Sequence, residues 1–321
     1  MNFLIFGLGS IGRRHAGILS GIEGNKIFAC RTGKSGIKSS EKFPYTEIDQ
    51  SDNFADHNID GALITNPTSM HIETALKIAE YGIPLFIEKP LGNELHDVKR
   101  LQEITKEKNI PVLMGYNFLH HSGIKLIKKL IKENKIGKVI SAKSQFGTYM
   151  PDWHKDEDYK KSYASNSVMG GGVILTSIHE QNYLTDLFGE VTEVKAMKTG
   201  GNILDIKAEE GAEILMRHEG GVVSNIHLNF YQKPYYRNCQ VIGTEGTIYW
   251  DFLIPAVKIL YKDKTEIIKT GKGAFELLDE SYTEQMQHFT EVIKGNSKPA
   301  ADLYRGVKDL ETALEILKQI N

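Results

Sequence analysis

The chain has 321 residues, of which 40% are hydrophobic and 25% are charged, and this composition supports a buried core. The length exceeds that of one ordinary domain and favours two. Because 39 Lys and Arg residues are balanced by 41 Asp and Glu residues, the formal net charge of −2 gives no overall attraction to nucleic acid or to an anionic membrane. We therefore expect a small-molecule substrate, no nucleic-acid partner and no membrane association.

The two cysteines and the N-terminus suggest where the protein works. Cys30 and Cys239 match no disulfide or metal-site spacing, which favours a reducing compartment. No apolar run reaches the roughly 18 residues that a membrane span requires. The N-terminal segment MNFLIF lacks the charged start and the long apolar stretch of a signal peptide, so it is interpreted as the first strand. These features predict a cytoplasmic protein.

The first third of the sequence alternates strand-like and helix-like segments. This order is typical of parallel β-α-β units. Strands are predicted at 2–6, 26–30, 61–65, 85–88 and 111–114. Helical periodicity follows the first strand at 10–19, appears at Ile72, Ala75, Leu76 and Ala79, and returns at Leu95, Val98 and Leu101. The expected first domain is thus a doubly wound parallel sheet of the Rossmann type at residues 1–118.

Strands dominate the rest of the chain, residues 119–321. A helix at about 123–135 and another at about 173–188 accompany strand candidates at 139–149, 191–198, 212–217, 222–230, 237–242, 247–252 and 257–261. Two C-terminal helices, the first opened by Ser281 and Glu284 as a capping box, could pack back on the first domain. We predict an α+β domain for substrate binding and oligomerisation, built on a large, mostly antiparallel sheet. A sheet face that needs cover favours a homo-oligomer, either a dimer or a tetramer.

A G-x-G-x-x-G motif lies between the first strand and the first helix. Gly7 allows a tight turn, Gly9 lets the backbone approach a pyrophosphate, and Gly12 lets the helix pack closely on the strand. The helix N-terminus then offers unpaired N–H groups to the phosphates. A plain glycine-rich turn is the alternative, but the position at the first β-α junction favours dinucleotide binding. The predicted phosphate-binding residues are Gly7, Gly9, Ser10, Ile11 and Gly12.

The end of the second strand bears on the choice of cofactor. An NAD enzyme usually has an Asp or Glu there for the ribose 2′-hydroxyl, whereas this chain has Arg31, Thr32 and Lys34. Because these side chains can bind a 2′-phosphate, NADP is favoured over NAD. Alternatively, Arg31 stacks on the adenine or is simply solvated.

Three motifs together carry a family resemblance. The Gly7–Gly12 turn, the segment TNPTSMH at 65–71 and the segment EKPLG at 88–92 resemble, in order and spacing, the glucose–fructose oxidoreductase, inositol dehydrogenase and MocA-like family. The later segment from Gly170 to His179 fits as well, so the resemblance spans nearly the whole chain. The PDWH segment at 151–154 is similar to branches that include surface-polysaccharide enzymes. The resemblance implies an NAD(P)-dependent oxidoreductase acting on a sugar, cyclitol or nucleotide sugar, with cofactor contacts at Asn66, Pro67, His71, Glu88, Lys89 and Asn117.

Lys89 and His179 are the predicted catalytic residues. Lys89 follows a parallel strand at the sheet edge where such folds bind ligands, and an ammonium there can polarise a substrate hydroxyl. A solvated surface charge is the alternative for Lys89. His179 can exchange a proton near neutral pH, although a histidine on an apolar helix is more often a core residue. The resemblance implies that Lys89 positions the substrate and that His179 moves the proton.

The sequence also departs from the family pattern. Relatives commonly carry an Asp three or four residues before the histidine and another three after it, where this chain has Leu175 or Thr176 and Asn182. On the predicted helix Leu175, His179 and Asn182 share a face, with Thr176 adjacent. A neutral Asn or Thr cannot stabilise an imidazolium as a carboxylate does. The chain also has Leu119 near the place where many relatives have Arg. We therefore expect an altered proton relay.

Further substrate contacts are predicted from position at loops and strand ends, where ordinary packing is the alternative. The predicted contacts are Tyr149, Trp153, His154, Tyr163, Thr176, Asn182 and Arg237. Adjacent His120 and His121 do not face one way and have no evident third ligand, so we predict no metal. Two other functions stay open: a dinucleotide-binding sensor or partner protein without turnover, and a hydrolase or epimerase that recycles its cofactor.

Overall fold

The computed structural model describes residues 1–30, 44–49, 53–153 and 158–320. The chain divides into two compact units, and each is built from two separate stretches. The first unit comprises residues 1–116 and 282–310, and the second comprises residues 117–281 and 311–321. The second stretch of the first unit belongs to the C-terminal helices, as the sequence analysis allowed, whereas the proposed boundary after residue 118 stays a prediction.

The first unit contains a six-stranded parallel sheet. Its strand order is β3-β2-β1-β4-β5-β6, the doubly wound arrangement that the sequence predicts. The strands are β1 (Asn2–Phe6), β2 (Lys26–Cys30), β3 (Thr46–Ile48), β4 (Gly61–Ile64), β5 (Leu85–Ile87) and β6 (Val112–Met114). The helices between them are α1 (Ser10–Ser20), α2 (His71–Ala79) and α3 (Val98–Glu107). The central strands are apolar and buried because helices cover both faces.

The second unit contains an eight-stranded sheet in the order β14-β13-β12-β11-β7-β10-β9-β8. Only β10 and β7 pair in parallel, so the prediction of a mostly antiparallel sheet is confirmed. In chain order its elements are α4 (Ser122–Lys132), β7 (Val139–Tyr149), α5 (Val173–Thr176), α6 (His179–Phe188), β8 (Val191–Thr199), β9 (Gly211–His218), β10 (Val223–Asn229), β11 (Tyr231–Gly243), β12 (Thr247–Asp251), β13 (Ala256–Leu260) and β14 (Thr265–Lys269).

Two long helices follow the second sheet, and each contributes to both units. They are α7 (Ala274–Ile293) and α8 (Leu303–Ile320). Within the first unit, the Phe289 ring of α7 lies 5.7 Å from Phe86 and 6.4 Å from Phe3, so this helix completes the core of the parallel sheet. Among the described residues, none of the helices has both the length and the apolar composition that a membrane crossing demands.

The two faces of the eight-stranded sheet differ. On one face Met216, Ser224 and Ala142 are buried neighbours, and α4, α5 and α6 pack against this sheet. On the other face the register aligns Lys195, Leu215, Asn225 and Lys143 across four strands, and Leu215 is 50% exposed. Because cross-strand neighbours share a face, this second face is open to solvent in the single chain. We call it the open face.

Three predictions about helices are wrong. The helix predicted at 173–188 is broken at Ser177, whose ψ of 34° leaves the helical region, so α6 begins at His179 instead of continuing from Leu175. The C-terminal helix begins at Ala274, and Ser281 lies inside it, where its hydroxyl donates to the Leu278 carbonyl rather than capping an end. Leu95 precedes α3 and is 44% exposed. The sequence analysis also missed the short strands β3 and β14.

A buried carboxylate fixes the turn that leads into α5 and α6. Gly172 has a φ of +98°, and a Cβ placed there would lie 2.1 Å from Oε1 of Glu209, so only glycine fits. Glu209 accepts the backbone N–H of Ile174 at 3.0 Å. Burial raises the pKa of Glu209 to about 7, although that hydrogen bond opposes the shift.

Replacing Glu209 should change how stability depends on pH. The folded pKa lies above the ordinary value of 4.5, so the folded state binds a proton more tightly and loses stability as pH rises from about 4.5 to about 7. The shift corresponds to a loss of at most about 3 kcal/mol. Denaturant unfolding of Glu209→Gln at pH 5 and pH 8 should lack this loss, whereas the exposed control Glu107→Gln should retain it. If the free energy of unfolding changed equally between pH 5 and pH 8 in wild type and in Glu209→Gln, the raised pKa of Glu209 would be contradicted.

Candidate active site

The turn between β1 and α1 has the geometry of a phosphate-binding loop. Gly7 has a φ of +92°, and a Cβ there would lie 2.8 Å from the backbone nitrogen of Asn66. A Cβ at Gly12 would lie 2.0 Å from the carbonyl oxygen of Gly7, so α1 can pack this closely only because residue 12 is glycine. At Gly9, by contrast, no atom of the described residues lies within 4 Å of an added Cβ. Gly9 therefore leaves space beside the loop that the described part of the chain does not fill.

The start of α1 can attract an anion. Its N-terminal residue lacks a side-chain cap, and its first turn contains no acidic residue. The backbone N–H groups of Ser10, Ile11 and Gly12 belong to this first turn, where the helix dipole places partial positive charge. Arg13 bonds back to the carbonyl of Leu8 at 2.9 Å, which holds the loop closed. These groups fit a pyrophosphate.

The loop after β4 packs directly against the glycine turn. The Thr65 hydroxyl lies 2.7 Å from the Gly7 carbonyl oxygen, and Asn66 donates from Nδ2 to the Thr74 hydroxyl at 2.8 Å. The buried Oδ1 of Asn66 has no hydrogen-bond partner among the described residues. An acceptor in this state fits a hydroxyl or amide donor of a bound dinucleotide. Pro67, the next predicted contact, is exposed.

His71 links this loop to the end of β5. Its Nδ1 lies 2.8 Å from the Pro90 carbonyl oxygen, and its Nε2 lies 2.9 Å from the Asn66 carbonyl oxygen. Burial lowers the pKa of His71, and the two carbonyl contacts oppose the shift. His71 was predicted as a cofactor contact, but both ring nitrogens are engaged with backbone. In this geometry it holds two loops together.

Lys89 lies directly after β5, at the carboxyl end of the parallel sheet. It is half-buried, and its backbone N–H donates to Oε2 of Glu88 at 3.1 Å. Glu88 is itself buried, and its Oε1 lies 2.7 Å from Nε2 of His15. The sequence analysis placed Glu88 among the cofactor contacts but did not anticipate His15. A buried histidine one turn beyond a glycine motif gives no distinctive pattern in the sequence.

In the second unit, His179 is the first residue of α6 and is buried. Its ring lies 5.0 Å from the Phe118 ring. Asn182, one turn further on, is 1% exposed, whereas Thr176 belongs to the separate helix α5 and is half-buried. Asn117, predicted as a cofactor contact, is buried and donates from Nδ2 to the Ser281 hydroxyl at 3.0 Å. The predicted shared helix therefore holds for His179 and Asn182 but not for Leu175 and Thr176, which belong to α5.

A buried ion pair adjoins His179 in sequence. Oε1 of Glu180 lies 2.8 Å from Nε of Arg237, and neither side chain exceeds 8% exposure. The Arg237 guanidinium carbon also lies 4.3 Å from each of the rings of Phe118 and Phe146. Arg237 was predicted as a substrate contact, and the structure places its charge against Glu180. The sequence analysis did not single out Glu180, although its position directly after His179 could have indicated it.

His121 occupies an aromatic cluster in the same unit. It accepts the Gly123 N–H at Nδ1, and its ring is stacked on Phe118 at a centroid distance of 5.5 Å. Burial, together with the nearby charge of Arg237, lowers the pKa of His121 to about 4, so the ring is neutral. Within the described ranges, no three His, Cys, Asp or Glu side chains come together as metal ligands.

The other predicted substrate contacts are dispersed. The Tyr149 ring lies 3.5 Å from Nζ of Lys233, Trp153 donates from Nε1 to the Thr148 hydroxyl, and Tyr163 is 42% exposed. Their contact with substrate stays a prediction. His154, Arg31 and Thr32 lie outside the residues that the structure describes.

Comparison with known families gives two matches along the chain. Residues 1–116 match the oxidoreductase family with an NAD-binding Rossmann fold, and residues 124–249 match the GFO/IDH/MocA C-terminal domain. Myo-inositol 2-dehydrogenase of Thermotoga maritima is 25% identical over 94% of this chain and 90% of its own length. Levoglucosan dehydrogenase of Pseudarthrobacter phenanthrenivorans is 26% identical over 59% of this chain, a match that spans 54% of the relative.

A third relative has a different activity. The 2,7-anhydro-N-acetylneuraminate hydratase of Mediterraneibacter gnavus is 27% identical over 63% of this chain and 53% of its own length. Among solved structures, an oxidoreductase from Agrobacterium radiobacter in complex with NAD+, L-tartaric acid and magnesium has a TM-score of 0.83 at 18% identity, covering 99% of this chain and 96% of that one. The fold is thus shared over nearly the whole chain. Together with the two family matches, this places the chain in the GFO/IDH/MocA family of oxidoreductases.

Proposed function

We propose that this protein is an NAD(P)-dependent oxidoreductase that transfers a hydride between nicotinamide and a secondary alcohol or ketone of a sugar, cyclitol or nucleotide sugar. The observation that carries the proposal is the glycine turn, with helix-terminal N–H groups beside the space at Gly9. The inositol and levoglucosan dehydrogenases among the relatives support this substrate class.

The proposed cofactor site lies at the carboxyl edge of the parallel sheet. Backbone N–H groups of Ser10–Gly12 would bind the pyrophosphate, and Oδ1 of Asn66 would accept a hydrogen bond from the dinucleotide. Pro67, His71 and Asn117, together with the backbone of Glu88 and Lys89, complete the proposed set of cofactor contacts. We propose NADP over NAD because Arg31 and Thr32 follow β2 where NAD enzymes usually have a carboxylate.

The proposed chemistry assigns one task to each catalytic side chain. When bound, the nicotinamide supplies the hydride acceptor in one direction and the hydride donor in the other. Lys89 would donate a hydrogen bond from its ammonium to the substrate oxygen and so stabilise negative charge on it. His179 would take the hydroxyl proton as the C–H electron pair leaves with the hydride, and would return it in the reverse direction. Asn182 and Thr176 would orient hydroxyl groups.

Gly9→Ala tests the cofactor site without disturbing the fold. Within the ranges that the structure describes, no atom obstructs an added Cβ at Gly9, but a methyl group there would occupy the space proposed for the phosphates. We expect an unchanged melting temperature and about a tenfold or greater loss of NADP+ affinity in calorimetric titration, with NAD+ binding more weakly than NADP+ to the wild type.

Gly17→Ala is the matched control, since Gly17 lies in α1, the helix that Gly9 precedes, and an added Cβ there has no atom of a described residue within 4 Å. This variant should keep wild-type affinity. If Gly9→Ala bound NADP+ as tightly as Gly17→Ala does, the proposed phosphate site would be incorrect.

Lys89→Ala and His179→Ala test the catalytic assignment. The reaction is followed by absorbance of reduced cofactor with a panel that includes myo-inositol, levoglucosan and UDP-N-acetylglucosamine. Each variant should retain cofactor binding but lose about 100-fold or more in kcat, the usual contribution of a positioned acid or base. Wild type that binds cofactor but turns over no member of the panel would instead favour the sensor.

The hydratase relative favours a second candidate, a redox-neutral reaction in which the cofactor is recycled. In that case chromatography would detect product while the absorbance of the reduced cofactor showed no net change. The same two variants would still lose activity, so product analysis is the measurement that separates the two candidates.

We further propose that the open face is covered by a second copy of the chain. Three large apolar side chains on this face are at least half exposed: Met197 at 74%, Ile267 at 60% and Leu215 at 50%. Light scattering should give at least twice the monomer mass, and Leu215→Glu should lower the mass because it buries a charge in the interface. The control Leu95→Glu, with similar exposure in the first unit, should leave the mass unchanged. A monomeric wild type would refute this proposal.

A further inference from the structure

We propose that His15 and Glu88 form a buried positioning pair that fixes the backbone of Lys89. Loss of the pair would slow hydride transfer without releasing the cofactor. The inference rests on the proposed function, in which Lys89 acts on the substrate. Neither residue needs to touch the substrate, because the pair acts through the Lys89 backbone.

The Glu88 carboxylate is held at both oxygens. Oε1 lies 2.7 Å from Nε2 of His15, and Oε2 accepts the backbone N–H of Lys89 at 3.1 Å. The Glu88 backbone N–H also donates to the Ile64 carbonyl at 2.9 Å, which continues the pairing of β5 with β4. The residue before Lys89 is therefore fixed through its backbone and through its side chain.

His15 provides a rigid support from α1. Its side chain is fully buried, and its ring lies 5.0 Å from Phe86 and 5.9 Å from Tyr282, in edge contacts with both rings. Because a carboxylate oxygen can only accept, Nε2 must be the donor in the contact with Glu88. His15 lies one turn after Gly12, so the helix that carries the phosphate-binding N–H groups also supports the lysine.

The space around the Glu88 side chain is also closed. A Cβ at Gly115 would lie 2.9 Å from Cδ of Glu88, so the end of β6 packs directly on the carboxylate. The residue after Lys89 is also held, because Nδ1 of His71 lies 2.8 Å from the Pro90 carbonyl oxygen. Lys89 thus lies between two residues that buried histidines hold in place. Sub-ångström placement of a catalytic group affects the rate of the chemical step more than ground-state binding.

The experiment compares His15→Leu, which removes the donor, with His15→Gln, whose amide nitrogen can replace Nε2, and with Glu88→Ala. The matched control is His218→Leu in the second unit, where a similarly buried histidine contacts the Gly189 carbonyl and the Ser224 hydroxyl. Two properties are measured in protein shown by circular dichroism to be folded. The first is hydrogen exchange at the Lys89 amide, and the second is turnover with cofactor deuterated at the transferred position.

In His15→Leu and Glu88→Ala the Lys89 amide should exchange about tenfold faster, and kcat should fall about 10- to 100-fold, while the KM for cofactor changes less than about threefold. The deuterium isotope effect on kcat should rise, because chemistry becomes more rate-limiting. His15→Gln should restore both properties at least in part. A merely structural pair would reduce the fraction of protein that binds cofactor but leave kcat per bound cofactor and the isotope effect unchanged.

Two outcomes would overturn the inference: wild-type exchange at the Lys89 amide in His15→Leu, or an equal fall in kcat in the His218→Leu control. If His15→Leu does not fold, Glu88→Ala and His15→Gln carry the comparison. Failure of the proposed function is recognised separately, because then the wild type turns over no substrate while the exchange measurement still decides whether the pair holds Lys89.

Discussion

The structure of the first unit depends on one close backbone approach. Helix α1 lies so near the end of β1 that a single carbon atom at Gly12 would be 2.0 Å from the Gly7 carbonyl oxygen. This approach brings the start of α1 to the sheet edge and carries His15 to Glu88. Side chains of Thr65 and His71 then contact backbone carbonyl groups of the neighbouring loops, including those of Gly7, Asn66 and Pro90. The phosphate-binding turn and the lysine-bearing strand end are consequently parts of one hydrogen-bonded network.

The second unit buries His179 beside the Phe118 ring, in largely apolar surroundings. Leu175, Thr176 and Asn182 near this histidine are neutral, and the carboxylate that follows it in sequence, Glu180, is paired with Arg237. A buried ion pair of this kind adds little net stability, but breaking it leaves an uncompensated charge. The pair therefore defines the arrangement of Arg237 and Phe118, and with it the surroundings of the His179 ring.

Local patterns sufficed for the elements with strong periodicity or distinctive spacing. The glycine turn, the order of the parallel strands and most of the antiparallel strands follow from such patterns. The break at Ser177 did not, because the apolar residues Ile178, Tyr183 and Leu184 continue the pattern beyond it. Likewise His15–Glu88 and Glu180–Arg237 join residues 73 and 57 positions apart, and no single sequence shows such a pairing. Long-range polar contacts thus determined what the sequence could not predict.

The central claim is that backbone N–H groups at the start of α1 hold a dinucleotide whose nicotinamide reaches Lys89. A crystal structure of the protein grown with NADPH tests it most directly. We expect pyrophosphate oxygens within about 3 Å of the backbone nitrogens of Ser10–Gly12, and the nicotinamide ring next to the Lys89 ammonium. A dinucleotide bound elsewhere, or a nicotinamide directed away from Lys89, would contradict it.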